Sequence, residues 1–191
     1  MTYFSSFLLG LVQGIAEFLP ISSSGHLSIA QNLLNIDTAV PEFFDVLLHL
    51  GTLVAVFVAY WRDICDMVME LIHGVNDLAH GTTPRQVPPA RRLILLIIVG
   101  TLPLFVVLPI KDLVEGAMSN VTFVSFALLA TGFILFFSDR MARGHKTAKN
   151  ATVADALIVG CGQALAVIPG LSRSGTTISV GMMRGFDRAF A

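Results

Sequence analysis

Length, composition and charge place this chain in a lipid bilayer. Of its 191 residues only 25 are charged, 12 Lys or Arg and 13 Asp or Glu, and 54% are hydrophobic. The charged share of 13% is half of the ~25% typical of soluble domains, and the mean hydropathy is +0.77. A soluble enzyme and a disordered chain are excluded, and the net charge of −1 excludes a nucleic-acid binder. The composition predicts an integral membrane protein.

The first apolar region, residues 7–34, carries a polar turn in its middle. Residues 20–26 read Pro-Ile-Ser-Ser-Ser-Gly-His. Each flanking piece is too short for a membrane crossing, which takes about 17–25 mostly apolar residues. Irregular backbone is tolerated at membrane depth only where protein buries it or where it lines a wet cavity. The region is therefore predicted to form a re-entrant helix–loop–helix pair.

Three further stretches are long and apolar enough to span the membrane. They are residues 43–61, 93–110 and 121–138. The first contains Asp45 and His49, which lie one helical turn apart and could pair with each other without any catalytic role.

Basic residues determine the predicted orientation. They gather in two segments, 62–92 and 139–150, whereas residues 111–120 contain only Lys111. The positive-inside rule makes the two basic segments cytoplasmic loops. Residues 36–41 and 111–120 then face outward, and the first broken region enters the membrane from outside.

A second broken region, residues 153–183, repeats the first. Its polar turn reads Pro-Gly-Leu-Ser-Arg-Ser-Gly, and a shift of 150 residues aligns Gly10–Gly25 with Gly160–Gly175 without a gap. Six of the 16 aligned pairs are identical, which indicates a duplicated unit. Because three spans, an odd number, separate the copies, the second is predicted to be inverted. Such repeats place the working site near the midplane, where the broken loops meet.

The predicted fold class is an all-α polytopic membrane protein with an inverted-topology repeat, transmembrane helices and two re-entrant pairs. Residues 1–191 form a single membrane domain, in which 1–140 are the first repeat unit and 151–191 begin the inverted second unit. Counterparts of the three spans of the first unit do not follow the second turn, so we expect the sequence to be truncated.

The polar side chains of the two turns form the candidate site. Gln13 and Glu17 lie on one helical face, and a carboxylate at the bilayer centre costs about 2.5–3.5 kcal/mol unless something compensates it. Arg173 offers a planar fork suited to phosphate or carboxylate, and helix N-termini favour anions. The turns predict a site for an anionic substrate, with groups for nucleophilic or acid–base chemistry. The hydroxyl and imidazole groups beside them are Ser22, Ser23, Ser24, His26, Ser172, Ser174 and Thr177.

These side chains also have structural interpretations, which the sequence leaves open. Glu17 and Arg173 could form a buried ion pair, and His26 could be a histidine satisfied in the core. A serine such as Ser22, Ser24 or Ser172 could be no more than a helix cap.

The two turns resemble the signature motifs of one enzyme family. Residues 13–27 read QGIAEFLPISSSGHL and residues 169–177 read PGLSRSGTT, which is similar to the undecaprenyl-diphosphate phosphatases, the bacitracin-resistance enzymes of bacterial membranes. The resemblance implies hydrolysis of a polyprenyl diphosphate to the monophosphate and phosphate, which recycles the lipid carrier for cell-wall synthesis. It also implies Mg²⁺ or Ca²⁺ as cofactor, and a multi-pass protein of the bacterial inner membrane whose site opens toward the outer face.

Carried over residue by residue, the resemblance implies roles for the residues of both turns. Gln13 and Glu17 stand at the E/Q-x-x-x-E motif and would hold the divalent cation, with Glu17 as the sole acidic ligand. The catalytic residues would be Glu17, Ser23, His26 and Arg173. Substrate-binding residues would be Gln13, Ser22, Ser24, Ser172, Ser174 and Thr177.

Several chemical alternatives stay open at the sequence level. Ser23 is predicted to attack the terminal phosphorus, with His26 accepting or returning the proton; a phosphohistidine at His26 and a water activated by Glu17 are the alternatives. The competing function is a transporter or flippase of a phosphorylated lipid or another anion, because inverted repeats around an anion site also build transporters. The oligomeric state is open, a homodimer included.

Overall fold

The computed structural model describes an all-helical chain. It covers residues 2–34, 42–82, 86–110, 114, 116–117, 120–141 and 144–191. The predicted outward segment 36–41 lies outside these residues, as do Arg85, Lys111 and Arg143. Within the described ranges the one β-type pairing is an isolated bridge between Lys146 and Phe186. The helices are α1 (Tyr3–Phe18), α2 (Ser23–Leu33), α3 (Glu42–Ala59), α4 (Trp61–Ala79), α5 (Pro89–Thr101), α6 (Val121–Met141), α7 (Val153–Leu165) and α8 (Arg173–Met183).

Within the described residues, two helical stretches are long and apolar enough to cross a membrane. They are Pro89–Val106 and Val121–Met141, close to two of the three predicted spans. The third predicted span, 43–61, is not a full span by itself: α3 is long enough to cross a membrane only when α4 is counted with it, and the two helices are bent by 78° relative to each other. Helix α6 carries Phe126, Leu129 and Phe133, which are 67%, 60% and 64% exposed. Large apolar side chains exposed along a helix of this length indicate contact with lipid.

Residues 62–79 belong to helix α4, although they fall in the segment 62–92 that was predicted to be a cytoplasmic loop. Helix α4 has apolar residues at helical spacing along one face. Its charged residues include Asp63, Asp66, Glu70 and Asp77. Because these charges interrupt every long apolar run, the length of apolar sequence does not indicate a helix here. Its 3.6-residue periodicity is nevertheless typical of an amphipathic helix that lies along a membrane interface.

The predicted span 93–110 is a helix with a tighter end. Helix α5 begins at Pro89 and gives way to 3₁₀ turns over Leu102–Val106 and Leu108–Ile110. Pro103 explains the change, because proline lacks the N–H that would continue the α-helical hydrogen-bond ladder.

Helix α6 lies between the two broken helix pairs and packs against both α2 and α8. Ser138 of α6 and Ser179 of α8 are fully buried and their hydroxyls are 2.9 Å apart, a contact that averages about 0.6 kcal/mol between membrane helices. Helices α5 and α7 also pack closely, since a Cβ at Gly160 would lie 2.3 Å from the Gly100 carbonyl oxygen. Only glycine permits this approach.

One end of the helix bundle is held by an ionic cluster around Asp155. This carboxylate is fully buried at the start of α7 and pairs with Lys146 at 3.0 Å and with Arg184, just after α8, at 2.9 Å. Burial acts to raise the pKa of Asp155, but the hydrogen bonds from Thr152, Lys146 and Arg184 outweigh it and hold the pKa well below its usual range. The start of α7 and the end of α8 therefore lie together.

Candidate active site

The first polar turn is built by a proline and a strained serine cap. Helix α1 ends at Phe18 because Pro20 follows, and α2 starts at Ser23. Ser22 caps α2: its hydroxyl accepts a hydrogen bond from the Gly25 N–H at 3.4 Å. Its φ of +73° lies in the left-handed region, which costs about 1–3 kcal/mol for a residue other than glycine and is typical of functional sites.

The second polar turn has the same cap. Ser172 accepts from the Gly175 N–H at 3.0 Å and begins α8 at Arg173. The left-handed residue of this turn is Gly170, with a φ of +90°. The structural interpretation as helix caps is thus correct for Ser22 and Ser172, and both also line the cavity described below. It is wrong for Ser24, which lies within the first turn of α2.

A threonine of α6 holds the second turn in place. Thr131 is 2% exposed, and its hydroxyl accepts a hydrogen bond from the Ser172 N–H at 3.0 Å. The hydroxyl proton is shared between the carbonyls of Ala127 at 3.1 Å and Gly170 at 3.3 Å. This single side chain therefore fixes the backbone on both sides of the turn that precedes Arg173.

The two turns touch each other. A Cβ placed on Gly175 would lie 2.5 Å from the carbonyl oxygen of Pro20, so the glycine is required for the close approach of the two backbones. Beside this contact lies a cavity of about 730 Å³. Most of its polar lining comes from the two turns: Glu17, Ser22, Ser23 and Ser24 from the first, and Ser172, Arg173, Ser174 and Thr177 from the second. His49 of α3 and Gln163 of α7 complete the polar lining.

The carboxylate of Glu17, in the wall of the cavity, accepts hydrogen bonds from two neighbouring side chains. Its Oε2 accepts a hydrogen bond from the Ser23 hydroxyl and another, at 3.0 Å, from Gln13 Nε2. Gln13 itself is 1% exposed, lies behind the lining, and keeps a buried Oε1 without a partner among the described residues. The arrangement leaves a serine hydroxyl in contact with a carboxylate, as a nucleophile and its base would be.

Arg173 is the cationic side chain of the cavity. It is exposed at the first position of α8 and lines the cavity together with Glu17, but no ion pair or side-chain hydrogen bond of Arg173 occurs within the described part of the chain. The predicted alternative of a structural Glu17–Arg173 pair is therefore not what the structure describes. A free guanidinium at a helix N-terminus is suited to an incoming anion.

Of the remaining predicted site residues, Ser172, Ser174 and Thr177 line the cavity and His26 does not. The hydroxyls of Ser172 and Ser174 are 3.3 Å apart, whereas Thr177 donates to the backbone carbonyls of Arg173 and Ser174 at 2.9 and 3.1 Å. His26 does not line the cavity: its Nδ1 lies 2.8 Å from the carbonyl of Ser22, to which it donates.

Two structurally important residues, Thr131 and Asp155, were not identified from the sequence. Thr131 stands in the middle of an apolar span, where an isolated hydroxyl could have drawn attention. Asp155 follows Thr152 at capping-box spacing, a recognisable signal for a helix start. The sequence leaves open a pairing of His49 with Asp45, and the structure has one through the backbone, because His49 Nδ1 donates to the carbonyl of Asp45 at 2.8 Å. His49 also lines the cavity.

The donor set at Glu17 fits a hard divalent cation. Mg²⁺ and Ca²⁺ take oxygen ligands, and Mg²⁺ is commonly held by one or two carboxylates with phosphate oxygens and water completing its shell. Glu17 supplies a carboxylate, whereas Gln13 turns its amide Nε2, not the unpartnered Oε1, toward that carboxylate and lies behind the cavity lining. Within the described residues no group of three or more His, Cys, Asp or Glu could hold a metal, so a cation here would depend on its substrate for further ligands.

Comparison with known proteins points to a single family. The profile of the family described as bacitracin resistance protein BacA matches residues 6–191. A protein of Methanosphaera stadtmanae named undecaprenyl-diphosphatase is 44% identical over 192 residues, which cover 98% of this chain and 69% of the relative. Relatives with the same name from Alkaliphilus metalliredigens and Methanobrevibacter smithii are 42% and 37% identical, and in each case the match covers 100% of this chain and 70% of the relative.

Proposed function

Because the chain belongs to the bacitracin resistance protein BacA family, we propose that it is a membrane phosphatase that hydrolyses undecaprenyl diphosphate to undecaprenyl phosphate and inorganic phosphate. The observation that carries the proposal is one cavity that joins a serine hydroxyl bonded to a carboxylate, Ser23 and Glu17, with the unpaired guanidinium of Arg173. These are the groups that phosphoryl transfer needs, since its catalysis is mostly positioning and neutralisation of charge.

In the proposed reaction Ser23 is the nucleophile. Its Oγ forms a bond to the terminal phosphorus while the bond from that phosphorus to the bridging oxygen breaks, and the electron pair leaves with undecaprenyl phosphate. Glu17 takes the hydroxyl proton, a role supported by its hydrogen bond from Ser23. Water then hydrolyses the phosphoserine and releases phosphate. His26 is less suited to the role of base proposed from the sequence, since its described hydrogen bond runs to Ser22.

The other residues of the cavity bind the diphosphate. Arg173 would neutralise its developing charge, and the hydroxyls of Ser24, Ser172 and Ser174 are candidate donors to its oxygens. Thr177 lines the same cavity, but its hydroxyl proton is engaged by backbone carbonyls. A divalent cation held through Glu17 and Gln13 would add positive charge at the phosphates.

The lipid tail explains why such a site would lie inside a membrane protein. Each buried methylene contributes about 0.8 kcal/mol to retention in lipid, so a long polyprenyl chain would cost tens of kcal/mol to extract. We propose that the substrate stays in the bilayer and only its diphosphate enters the cavity.

We further propose that α1–α2 and α7–α8 are inverted repeats and that each is a re-entrant pair. A shift of 150 residues carries Tyr3 to Val153 and the bounds of α2, 23–33, onto those of α8, 173–183. Both first helices begin with a capping box, at Thr2 and at Thr152. The Asp155–Arg184 ion pair supports the re-entrant path, because it joins the start of α7 to the end of α8.

Contacts near the Asp155 ionic cluster bear on which side of the membrane each segment occupies. Arg92 donates to the carbonyl of Ala151 at 2.7 Å, which supports a shared side for the two basic segments. We propose that this side is cytoplasmic, and that the cavity opens toward the outer face of a bacterial inner membrane. We also propose that the protein can assemble as a homodimer.

Purified protein in detergent or lipid vesicles is expected to release phosphate from undecaprenyl diphosphate. Phosphate is measured colorimetrically and the lipid product by chromatography. Formation of undecaprenyl phosphate in equal amount to phosphate supports the proposal. Absence of both products from a protein that is folded by circular dichroism would contradict it.

Removal of divalent cations is expected to stop this reaction, because the cation would neutralise the phosphates beside a single carboxylate. The assay is run with chelator, and then with Mg²⁺ or Ca²⁺ added in excess. Recovery of activity is the expected result. Full activity in chelator would remove the cation from the proposal and leave the roles of Ser23 and Arg173 standing.

Thr131→Val is expected to reduce kcat/KM by about 5- to 150-fold, which corresponds to the 1–3 kcal/mol cost of leaving the buried Ser172 N–H without an acceptor. Thr131→Ser keeps the hydroxyl and should stay close to wild type. Thr101→Val is the control, since the Thr101 hydroxyl bonds only carbonyls of its own helix. Equal activity of the Val and Ser variants at position 131 would show that the turn does not depend on this hydroxyl.

A further inference from the structure

The cavity contains an imidazole that neither polar turn supplies. His49 belongs to α3, and its side chain lines the cavity with Glu17 and Arg173. His26, the histidine of the first turn, is not part of this lining. Among the described residues, His49 is thus the histidine that an anion in the cavity would meet.

Hydrogen bonds determine which ring nitrogen of His49 is available. The carbonyl oxygen of Asp45 can only accept, so Nδ1, 2.8 Å away, carries a proton and donates it. Nε2 is then left for the cavity. It accepts a hydrogen bond from a protonated phosphate oxygen when the ring is neutral, and donates to an anionic oxygen when the ring is cationic.

The position of His49 is tied to the helix that follows the first turn. The Asp45 carboxylate accepts a hydrogen bond from Gln31 Nε2 of α2 at 3.1 Å. Helix α3 also packs against α1, the helix that carries Glu17. The same helix that presents the imidazole is therefore anchored to both helices of the first broken pair.

From these contacts we infer that His49 is a phosphate-binding residue of the cavity, acting through Nε2 on the diphosphate of the substrate. The inference rests on the proposed phosphatase function and adds a residue of α3 to the polar groups that the two turns supply. The Nδ1 of His49 already has a partner in the Asp45 carbonyl, and a phosphate in the cavity would give its Nε2 a partner as well.

Kinetics of His49 variants test this inference with inorganic phosphate as the probe. His49→Leu is expected to raise both KM and the inhibition constant of inorganic phosphate by about tenfold or more, the effect of losing one hydrogen bond to a charged group. His49→Gln should recover part of this loss, because its amide can both donate and accept. A residue that only supports the fold would not change phosphate inhibition selectively.

Two further variants separate the possible failures. His73→Leu on α4 is the matched control, since His73 lies 3.8 Å from Glu70 and outside the cavity, and it should behave as wild type. Arg173→Ala tests the proposed function itself. If Arg173→Ala loses activity while both His49 variants keep wild-type KM and phosphate inhibition, the role of His49 is overturned alone; if Arg173→Ala is also fully active, the proposed function fails with it.

Discussion

Replacement of Arg173 by Ala is expected to lower the rate of phosphate release by about 10³-fold or more. An arginine that stabilises the transition state of phosphoryl transfer contributes 10³ to 10⁵ in kcat. Arg173 lines the cavity and its guanidinium is not engaged by an acidic side chain within the described residues, so its charge is available to the substrate. Phosphate release at saturating undecaprenyl diphosphate measures the effect.

Arg173→Lys and Arg140→Ala complete this experiment. Lysine keeps the charge but lacks the planar fork, so Arg173→Lys should fall between wild type and Arg173→Ala. Arg140 lies over the ring of Phe136 at the end of α6, away from the cavity, and its removal should leave the rate unchanged. Near wild-type activity of Arg173→Ala would contradict the proposed site.

Replacement of Glu17 by Gln is expected to lower kcat by about 10²- to 10⁴-fold, the usual contribution of a general base. Glutamine can still accept a hydrogen bond from Ser23, but it cannot take the proton. The same change removes a charge that costs about 2.5–3.5 kcal/mol at the bilayer centre. Glu17→Gln should therefore melt at the same temperature as wild type or higher, while its activity is lost.

Activity and thermal melting must be read together for this variant. Asp139→Asn is the control, because Asp139 is exposed and pairs with Arg188 at the end of the bundle. An inactive Glu17→Gln protein with a lowered melting temperature would indicate that Glu17 supports the fold and not the chemistry.

The polar turns could be predicted because they depend on local chemistry. Pro20 ends α1 wherever the helix packs, and Ser22 and Ser172 carry the short hydroxyl side chains that cap helices. The apolar length of residues 121–138 is likewise sufficient to indicate a span, which the structure extends to Met141. These signals are contained within a few neighbouring residues.

Helix α4 was not predicted because apolar length and apolar periodicity are different signals. Its charged residues exclude a membrane span composed only of apolar residues. Their spacing nevertheless leaves one face apolar, as in an amphipathic helix. Residues 62–92 therefore contain more structure than a loop, and the sharp bend between α3 and α4 could not be derived from composition.

The repeat predicted that the two broken turns meet, and the close approach of Pro20 to Gly175 agrees with that prediction. The side chain that holds the second turn could not be predicted, because Thr131 meets Ser172 across 41 residues and no motif links the two positions. The two histidines illustrate the same limit. A motif places His26 near the catalytic groups, but the packing of α3 brings His49 to the cavity instead.

An experimental structure of the purified protein with inorganic pyrophosphate tests the central claim most directly. Pyrophosphate carries the diphosphate group without the lipid tail. We predict that it lies between the two polar turns, within hydrogen-bonding distance of the Arg173 guanidinium, in the same cavity as Glu17 and Ser23. Pyrophosphate bound elsewhere, or Glu17 and Arg173 in separate cavities, would contradict the account.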